Sequence, residues 1–304
     1  HTKVLSSGVI RAKIEEWITS HSFRATELAG HDISGFWKNA TVAILDSKGQ
    51  RRPLGKITKH ENGILTFGEN NAGESNQENP SNIGTVSGGE SRNATNEKLV
   101  IELNANLEAP VLATRLLLGI PLDKPLPALD VRLGTTRGTN ALLTRGGAST
   151  AVLVTKGFAD ILRIGEQDRP DLFSLSIKKN PPLTDHVLEI DERLDANGSV
   201  IQPMDIDSVT AILSKLKSDG VDSLAICLLH SHVNDEHERR IEELAKKSGF
   251  QNISRSSEVS PLIKYVSRTE TTVLDAYLNP ILSGYVTNVW QQFGGDSQCR
   301  LRLM

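Results

Sequence analysis

Two uninterrupted apolar runs, Thr150–Thr155 (TAVLVT) and Leu224–Leu229 (LAICLL), constrain this chain more than anything else in it. A strand with one face in water alternates apolar and polar residues, whereas a run with no polar face has to be covered on both sides. Material to cover them follows at once. GFADILRIG after the first run and NDEHERRIEELAKKSG after the second read as helices, the latter stopped by Gly249. Between the runs, Val209, Ile212, Leu213 and Leu216 of VTAILSKLKSDG share a helical face, with Asp207 or Ser208 as its cap. HVLEIDERLDANGSVIQP reads as a hairpin about Ala196 to Gly198. Strand, helix and strand in this succession predict a mostly parallel α/β sheet.

The flanks have a different texture. KVLSSG is strand-like, and Val9, Ile10, Ile14, Trp17 and Ile18 recur at helical spacing, so a strand entering a helix is expected there. From Gly35, short β-type runs broken by DSKG and HENG predict an antiparallel module over 35–107, with the polar stretch 69–97 as a surface loop. KLVIEL reads as a strand and APVLATRLLLGI as a helix ended by Gly119. A last helix is expected from Thr269 to Phe293, kinked or broken at Pro280, before RLRLM opens a strand. The expected division is one α/β region, residues 1–34 with 108–304, interrupted by the module at 35–107. Strand-like runs at both ends suggest a piece of a larger protein.

Net charge is −3 over 304 residues, which lacks the basic footprint of a nucleic-acid binder. No apolar run approaches the ~18 residues of a membrane span, and the first residues hold no apolar signal core, so neither membrane insertion nor secretion is expected. Cys227 and Cys299 are too few for a disulfide framework and fit a reducing compartment, the cytoplasm.

Four motifs carry polar chemistry. GTTRGTN, Gly134 to Asn140, follows a strand-like run, and its Thr135, Thr136, Thr139 and Asn140 sit where open α/β sheets place ligands. Its spacing is neither that of a P-loop nor of a dinucleotide fingerprint, so a phosphate or substrate cradle and a tight structural turn both stand. In LLHSHVNDEHERR, His230, His232 and His237 could ligate a metal with Glu236 or Glu238; the plainer reading has Asn234 or Asp235 capping a helix whose dipole favours those glutamates, with no metal. RIGEQDRPDLFSL gathers Arg163, Glu166, Gln167, Asp168 and Arg169, either an anion-binding set or solvated charges. SSEVSPLIKYVSRTETT places Glu258 and Arg268 either at a cleft or as paired surface charges. No Ser-His-Asp or Cys-His spacing is present, and catalytic residues are unassigned.

Taken in order, RLGTTRGTNALLTRGGASTAVLVTKGFADILRIGEQDRPDLFSL, EIDERLDANGSVIQPMD, SLAICLLHSHVNDEHERRIEELAKKSGF, ISRSSEVSP and RTETTVLDAYLNPIL resemble the N-terminal region of the hydantoinase A/5-oxoprolinase family over about Val131 to Met304. The opening residues 1–18 resemble it as well. The resemblance implies an actin/sugar-kinase-like (ribonuclease H-like) mixed sheet with helices and ATP-dependent opening of cyclic amides, 5-oxoproline or hydantoins. Phosphorylation of the amide oxygen makes the carbonyl carbon a better electrophile, with Mg²⁺ shielding phosphate charge. A companion hydrolase subunit or fused region and an oligomeric assembly are expected partners. Thr135, Thr136 and Asn140 become the first candidates for binding substrate or phosphate, followed by Arg169, Glu258 and Arg268. The family's phosphate-binding Asp-Gly-Gly-Thr hairpin and C-terminal half lie outside the sequence, so this stretch alone is expected neither to bind ATP tightly nor to turn over. An acetone-carboxylase-like ATP-dependent subunit is one alternative. A region that recruits partners through the inserted module, without chemistry of its own, is the other.

Overall fold

A computed structural model describes residues 8–25, 27–46, 48–68, 99–167, 173, 180–295 and 299–304. The polar stretch 69–97, most of the KVLSSG opening, and Asp168 and Arg169 fall outside them. The architecture is mixed α/β, and the chain divides into two units, His1–Gly134 with Val286–Met304, and Thr135–Tyr285.

The first unit is built on a seven-stranded sheet whose neighbours all pair antiparallel. Its strands are β1 (Val9–Lys13), β2 (Glu16–Thr19), β3 (Ser22–Arg24), β4 (Thr41–Leu45), β5 (Arg51–Glu61), β6 (Ile64–Gly68) and β7 (Val100–Asn104), in the order β1-β7-β4-β5-β6-β3-β2. The DSKG and HENG turns join β4 to β5 and β5 to β6 as expected. The helix expected over residues 9–18 is not there: these residues form β1 and β2. Val9, Ile10 and Ala12 are buried, and Ile10, Ala12 and Ile14 pack into the same core as Phe23, Trp37, Ile101 and Leu103. Tertiary burial outweighs a helical spacing that rests on five residues. Residues 9–24, which the sequence placed with the α/β region, therefore belong to the antiparallel sheet.

Pro53 is tolerated inside β5 because Val42 faces Gly55 while Ala43 faces Pro53, a bulge that breaks the ladder. Gly55 is required at that bulge, since its φ is +147° and a Cβ would lie 2.1 Å from the Gly68 carbonyl. Helix α1 (Ala109–Leu118) ends as expected on Gly119 in the left-handed region, φ +66°. β8 (Leu129–Leu133) pairs in parallel with β15 (Cys299–Leu303), the strand that RLRLM opens.

The second unit is a parallel sheet covered on both faces. β9 (Thr150–Thr155), β10 (Val187–Ile190), β13 (Ser223–Cys227) and β14 (Asn252–Arg255) run in the order β10-β9-β13-β14. Every residue of β9 and β13 is buried, as the unbroken apolar runs require. Ala151, Leu153, Leu224 and Ile226 pack against Val209 and Leu213 of α4 (Ile206–Ser218) and Ile241 and Ala245 of α5 (Glu236–Lys247). On the opposite face, Val152, Val154, Ala225 and Cys227 pack against Val273 and Ala276 of α7 (Tyr265–Gln292). Each such Val or Leu contributes roughly 1.5–3 kcal/mol by leaving water.

Three details differ from expectation here. GFADILRIG supplies one turn only, α3 (Ile161–Ile164). The hairpin about residues 196–198 does form, as β11 (Arg193–Leu194) and β12 (Val200–Gln202), while HVLEI before it joins the parallel sheet as β10. The cap of α4 is Asp205, whose carboxylate accepts the N–H groups of Asp207 and Ser208. Pro280 lies within α7 without ending it.

Candidate functional site

The GTTRGTN loop leaves the C-terminal end of β8 and enters α2 (Arg137–Leu143), the strand-to-helix position expected of it. α2 is held against α7 by Arg137, whose guanidinium lies 4.4 Å from the Tyr285 ring centre, and by Gly138, where a Cβ would touch Leu282 at 3.6 Å. With that side anchored, Thr135, Thr136 and Asn140 are exposed. The Thr135 hydroxyl accepts the Arg137 N–H at 3.2 Å. Thr136 occupies the cap position of α2 without a side-chain bond to the helix, and Asn140 engages Thr144 through its main-chain carbonyl only. Two hydroxyls and an amide thus face solvent at a strand end, uncharged donors of the kind that bind phosphate or amide oxygens. Among residues 134–140 there is neither a carboxylate nor an imidazole to move a proton.

Arg268 is not brought to this loop. Arg268 lies in α7 ten residues before Leu278, which also packs near Gly138, so the two are separated by about 15 Å along the helix. Its guanidinium is 1% exposed and donates to the carbonyls of Leu228, 2.8 Å, and Leu262, 3.0 Å. Burial lowers its pKa, an effect Glu238 opposes. Arg268, read from sequence as a cleft residue or a paired surface charge, is buried and ties the turn after β13 to the turn before α7. Glu258, in the single turn α6 (Ser256–Val259), is exposed and pairs with Arg255 at 2.9 Å, which makes it one of the surface charges the sequence allowed for. Arg169 lies outside the described residues.

Arg268 belongs to a buried polar network at the carboxyl edge of the parallel sheet. Glu238, fully buried, accepts the Leu228 N–H at 2.9 Å, the Ser256 hydroxyl at 2.6 Å and the Ser257 N–H at 2.9 Å. Ser231 bridges the Leu228 carbonyl and the Ser256 hydroxyl. The Tyr265 hydroxyl donates to the Cys227 carbonyl, and burial pushes both the tyrosine and the Cys227 thiol well above their ordinary ranges. Alongside, Thr155 donates to Glu192 while accepting the Leu229 N–H, and Glu192 meets His237 Nδ1 at 2.7 Å.

The histidines of LLHSHVNDEHERR thus separate. His237 is taken by Glu192. His230 holds a left-handed backbone, φ +63°, and the His230 and His232 ring centres are 6.1 Å apart. Burial lowers the His232 pKa, with Arg268 and His230 adding to it. Among the described residues no three His, Cys, Asp or Glu side chains converge as a metal site. Glu238, read from sequence as a dipole partner or metal ligand, is instead the hub of the network. Thr155 and Glu192 were not singled out at all, although Thr155 closes an apolar run and Glu192 sits in the EIDER segment; polar residues bordering such runs were the available signal.

The Hydantoinase/oxoprolinase N-terminal region matches residues 93–249 of this chain. The chain is 37% identical over 244 residues to 5-oxoprolinase of Saccharomyces cerevisiae, covering 68% of this chain and 19% of the yeast protein. It is 36% identical over 217 residues to 5-oxoprolinase 1 of Arabidopsis thaliana, covering 62% of this chain and 17% of the plant protein. It thus spans less than a fifth of the length of these relatives. The crystal structure of the ATP-dependent caprolactamase from Pseudomonas jessenii superposes with a TM-score of 0.48 at 26% identity, over 55% of this chain and 26% of that one. With its motifs in order and its match extending over more than half its length, this chain belongs to the hydantoinase/oxoprolinase family and carries the family's N-terminal region.

Proposed function

We propose that this chain is part of an ATP-dependent cyclic amide hydrolase of the 5-oxoprolinase or hydantoinase type. The observation that carries the reading is the likeness to 5-oxoprolinases across about two thirds of the chain. An amide is a poor electrophile and its oxygen a poor leaving group; bound ATP would supply the phosphoryl group that makes that oxygen leave.

The chain's own contribution to this chemistry is binding and orientation. Thr136 and Asn140 have side chains with no partner among the described residues, and together with Thr135 they fit phosphate or amide oxygens at the end of β8. Mg²⁺ finds no carboxylate in residues 134–140, so this loop would meet the ion only through the phosphates. Arg268 and Glu238 fix the backbone turns at the carboxyl edge of the parallel sheet. An actin/sugar-kinase-like core, a companion hydrolase region, an oligomeric assembly and a cytoplasmic setting complete the proposal, and the mixed α/β architecture is compatible with that core. No helix of the described residues is long and apolar enough to cross a membrane.

The test is phosphate release from ATP by the full-length protein with 5-oxoproline, hydantoin, or acetone with bicarbonate, comparing wild type with Thr136→Ala. Losing one hydrogen bond to a charged oxygen lowers substrate-stimulated release about 10- to 100-fold. Release unchanged by the substitution would return the loop to a structural connection. Stimulation by acetone and bicarbonate alone would select the carboxylase alternative.

A further inference from the structure

The second unit contains a groove that the proposed function does not use. In the order β10-β9-β13-β14, the chain adds β10 on one side of β9, then returns to add β13 on its other side. The order reverses between β9 and β13, and open parallel sheets bind ligands in the crevice outside the carboxyl ends at such a reversal. Thr155, the last residue of β9, and Leu229, just past β13, meet there.

The hydrogen bonds at that point fix where every proton lies. The Leu229 N–H donates to Thr155 Oγ1 at 2.8 Å, so the Thr155 hydroxyl gives its own proton to Glu192 Oε1. The other oxygen of Glu192 lies 2.7 Å from His237 Nδ1, and the Glu192 side chain is completely buried. An ionised carboxylate only accepts, so Nδ1 carries a proton, and in the neutral imidazole Nε2 then presents its lone pair. That nitrogen has no partner among the described residues, yet it is not sealed from solvent as Nδ1 of His232 is. His237 lines an open groove of about 410 Å³.

The groove's remaining walls say what would fit. Glu236, Arg239, Arg240 and Glu243 line it together from α5, two of each sign, so their charges cancel and give no net pull on an ionic ligand. The guanidiniums already hold Asp235 at 3.0 Å and Glu243 at 2.8 Å, but each keeps further N–H donors. Met204 and Ile206 supply an apolar side. An acceptor, spare donors and an apolar wall without net charge suit a small neutral molecule with an N–H beside a carbonyl on a short hydrocarbon ring.

We propose that this groove binds a neutral cyclic amide, with His237 Nε2 accepting the amide N–H and Glu192 as the positioning residue that sets the imidazole tautomer. The choice of a cyclic amide within the class of neutral amides rests on the proposed function; the groove and its tautomer do not. The test follows the imidazole nitrogens of the 304-residue chain by long-range proton–nitrogen NMR while 2-pyrrolidinone is added. The expected result is a protonated Nδ1 and a saturable shift at Nε2 of His237. N-methyl-2-pyrrolidinone, which has no N–H, should bind at least tenfold more weakly. In Glu192→Gln, the hydroxyl of Thr155 holds the amide oxygen and turns the amide NH2 toward Nδ1, so the proton moves to Nε2 and binding falls at least tenfold with the fold intact. Equal binding of the N-methyl compound, no shift at His237, or undiminished binding in Glu192→Gln would overturn the proposal; the N-methyl comparison decides even if that variant fails to fold. Amide-stimulated phosphate release by the full-length protein without a shift at His237 would sink the groove alone, and a shift without stimulated release would sink the proposed function alone.

Discussion

The antiparallel sheet and the parallel sheet dispose of their polar groups in opposite ways. In the seven-stranded sheet, hairpin connections reach water, and its buried Glu102 is met by Arg11 and Arg51 from the surface. In the four-stranded sheet the connections into β13 and β14 cross back through α4 and α5, so the strand ends there are themselves covered. The main-chain N–H groups of Leu228 and Leu229 and the carbonyls of Cys227 and Leu228 then have to find partners inside the protein, and Glu238, Thr155, Tyr265 and Arg268 provide them. Buried polarity in the second unit is thus a consequence of parallel topology, and it gathers at the edge where such sheets also hold ligands.

The largest test of that contrast is Glu238→Ala. The substitution strands two main-chain N–H groups, takes one acceptor from the Ser256 hydroxyl and removes the carboxylate that favours the charged form of Arg268. A loss of about 3–5 kcal/mol is expected, read as a drop in the urea midpoint for unfolding. A loss below about 1 kcal/mol would mean that water reaches the edge, and the contrast between the two sheets would fail.

How legible was this in the sequence? TAVLVT and LAICLL gave away β9 and β13 because a strand buried on both faces has a composition that few alternatives share. The GTTRGTN loop lies at a strand end as read, since Gly and Thr punctuation between an apolar run and a helix is local information. VIRAKIEEWI was misread because five apolar residues satisfy a helical spacing and a buried sheet equally, and only the partners β7 and β3, far along the chain or across a turn, decide. Arg268 and Glu238 were noticed for their charge, but their roles depend on carbonyls and N–H groups that sequence does not display. Glu192 pairs with His237 from 45 residues away, beyond the reach of any local pattern.

The antiparallel sheet offers the second test through its exception, His60. It is 1% exposed in β5, and neither ring nitrogen makes a well-formed hydrogen bond among the described residues. Burial first, then the charge of His31, lowers its pKa from 6.5, which the Ile33 backbone only partly offsets. The unfolded chain therefore takes up a proton below pH 6.5 that the folded one refuses. Stability is highest above that value and falls as pH drops from 6.5 toward the lower folded pKa. His60→Leu should flatten this acid limb, and at pH 5 should stabilise by about 1–2 kcal/mol, because a polar ring without a partner has been replaced by an apolar one. Urea midpoints at pH 5 and pH 8 check it. An acid limb unchanged in the variant would assign the pH dependence elsewhere.

The smallest expected effect separates burial from bond count. Asp205 caps α4 by accepting two N–H groups, those of Asp207 at 3.1 Å and Ser208 at 3.3 Å, nearly the number of bonds Glu238 makes. It is exposed, so in Asp205→Ala those donors turn to water instead of being stranded. The expected loss is about 1 kcal/mol, the ordinary value of a helix cap and a fraction of that for Glu238→Ala. Comparable losses for the two variants in the same urea titration would show that the number of hydrogen bonds governs stability in this unit. A several-fold difference would assign the control to exclusion of water at the carboxyl edge, the same property that would let Glu192 hold the proton of His237 in place.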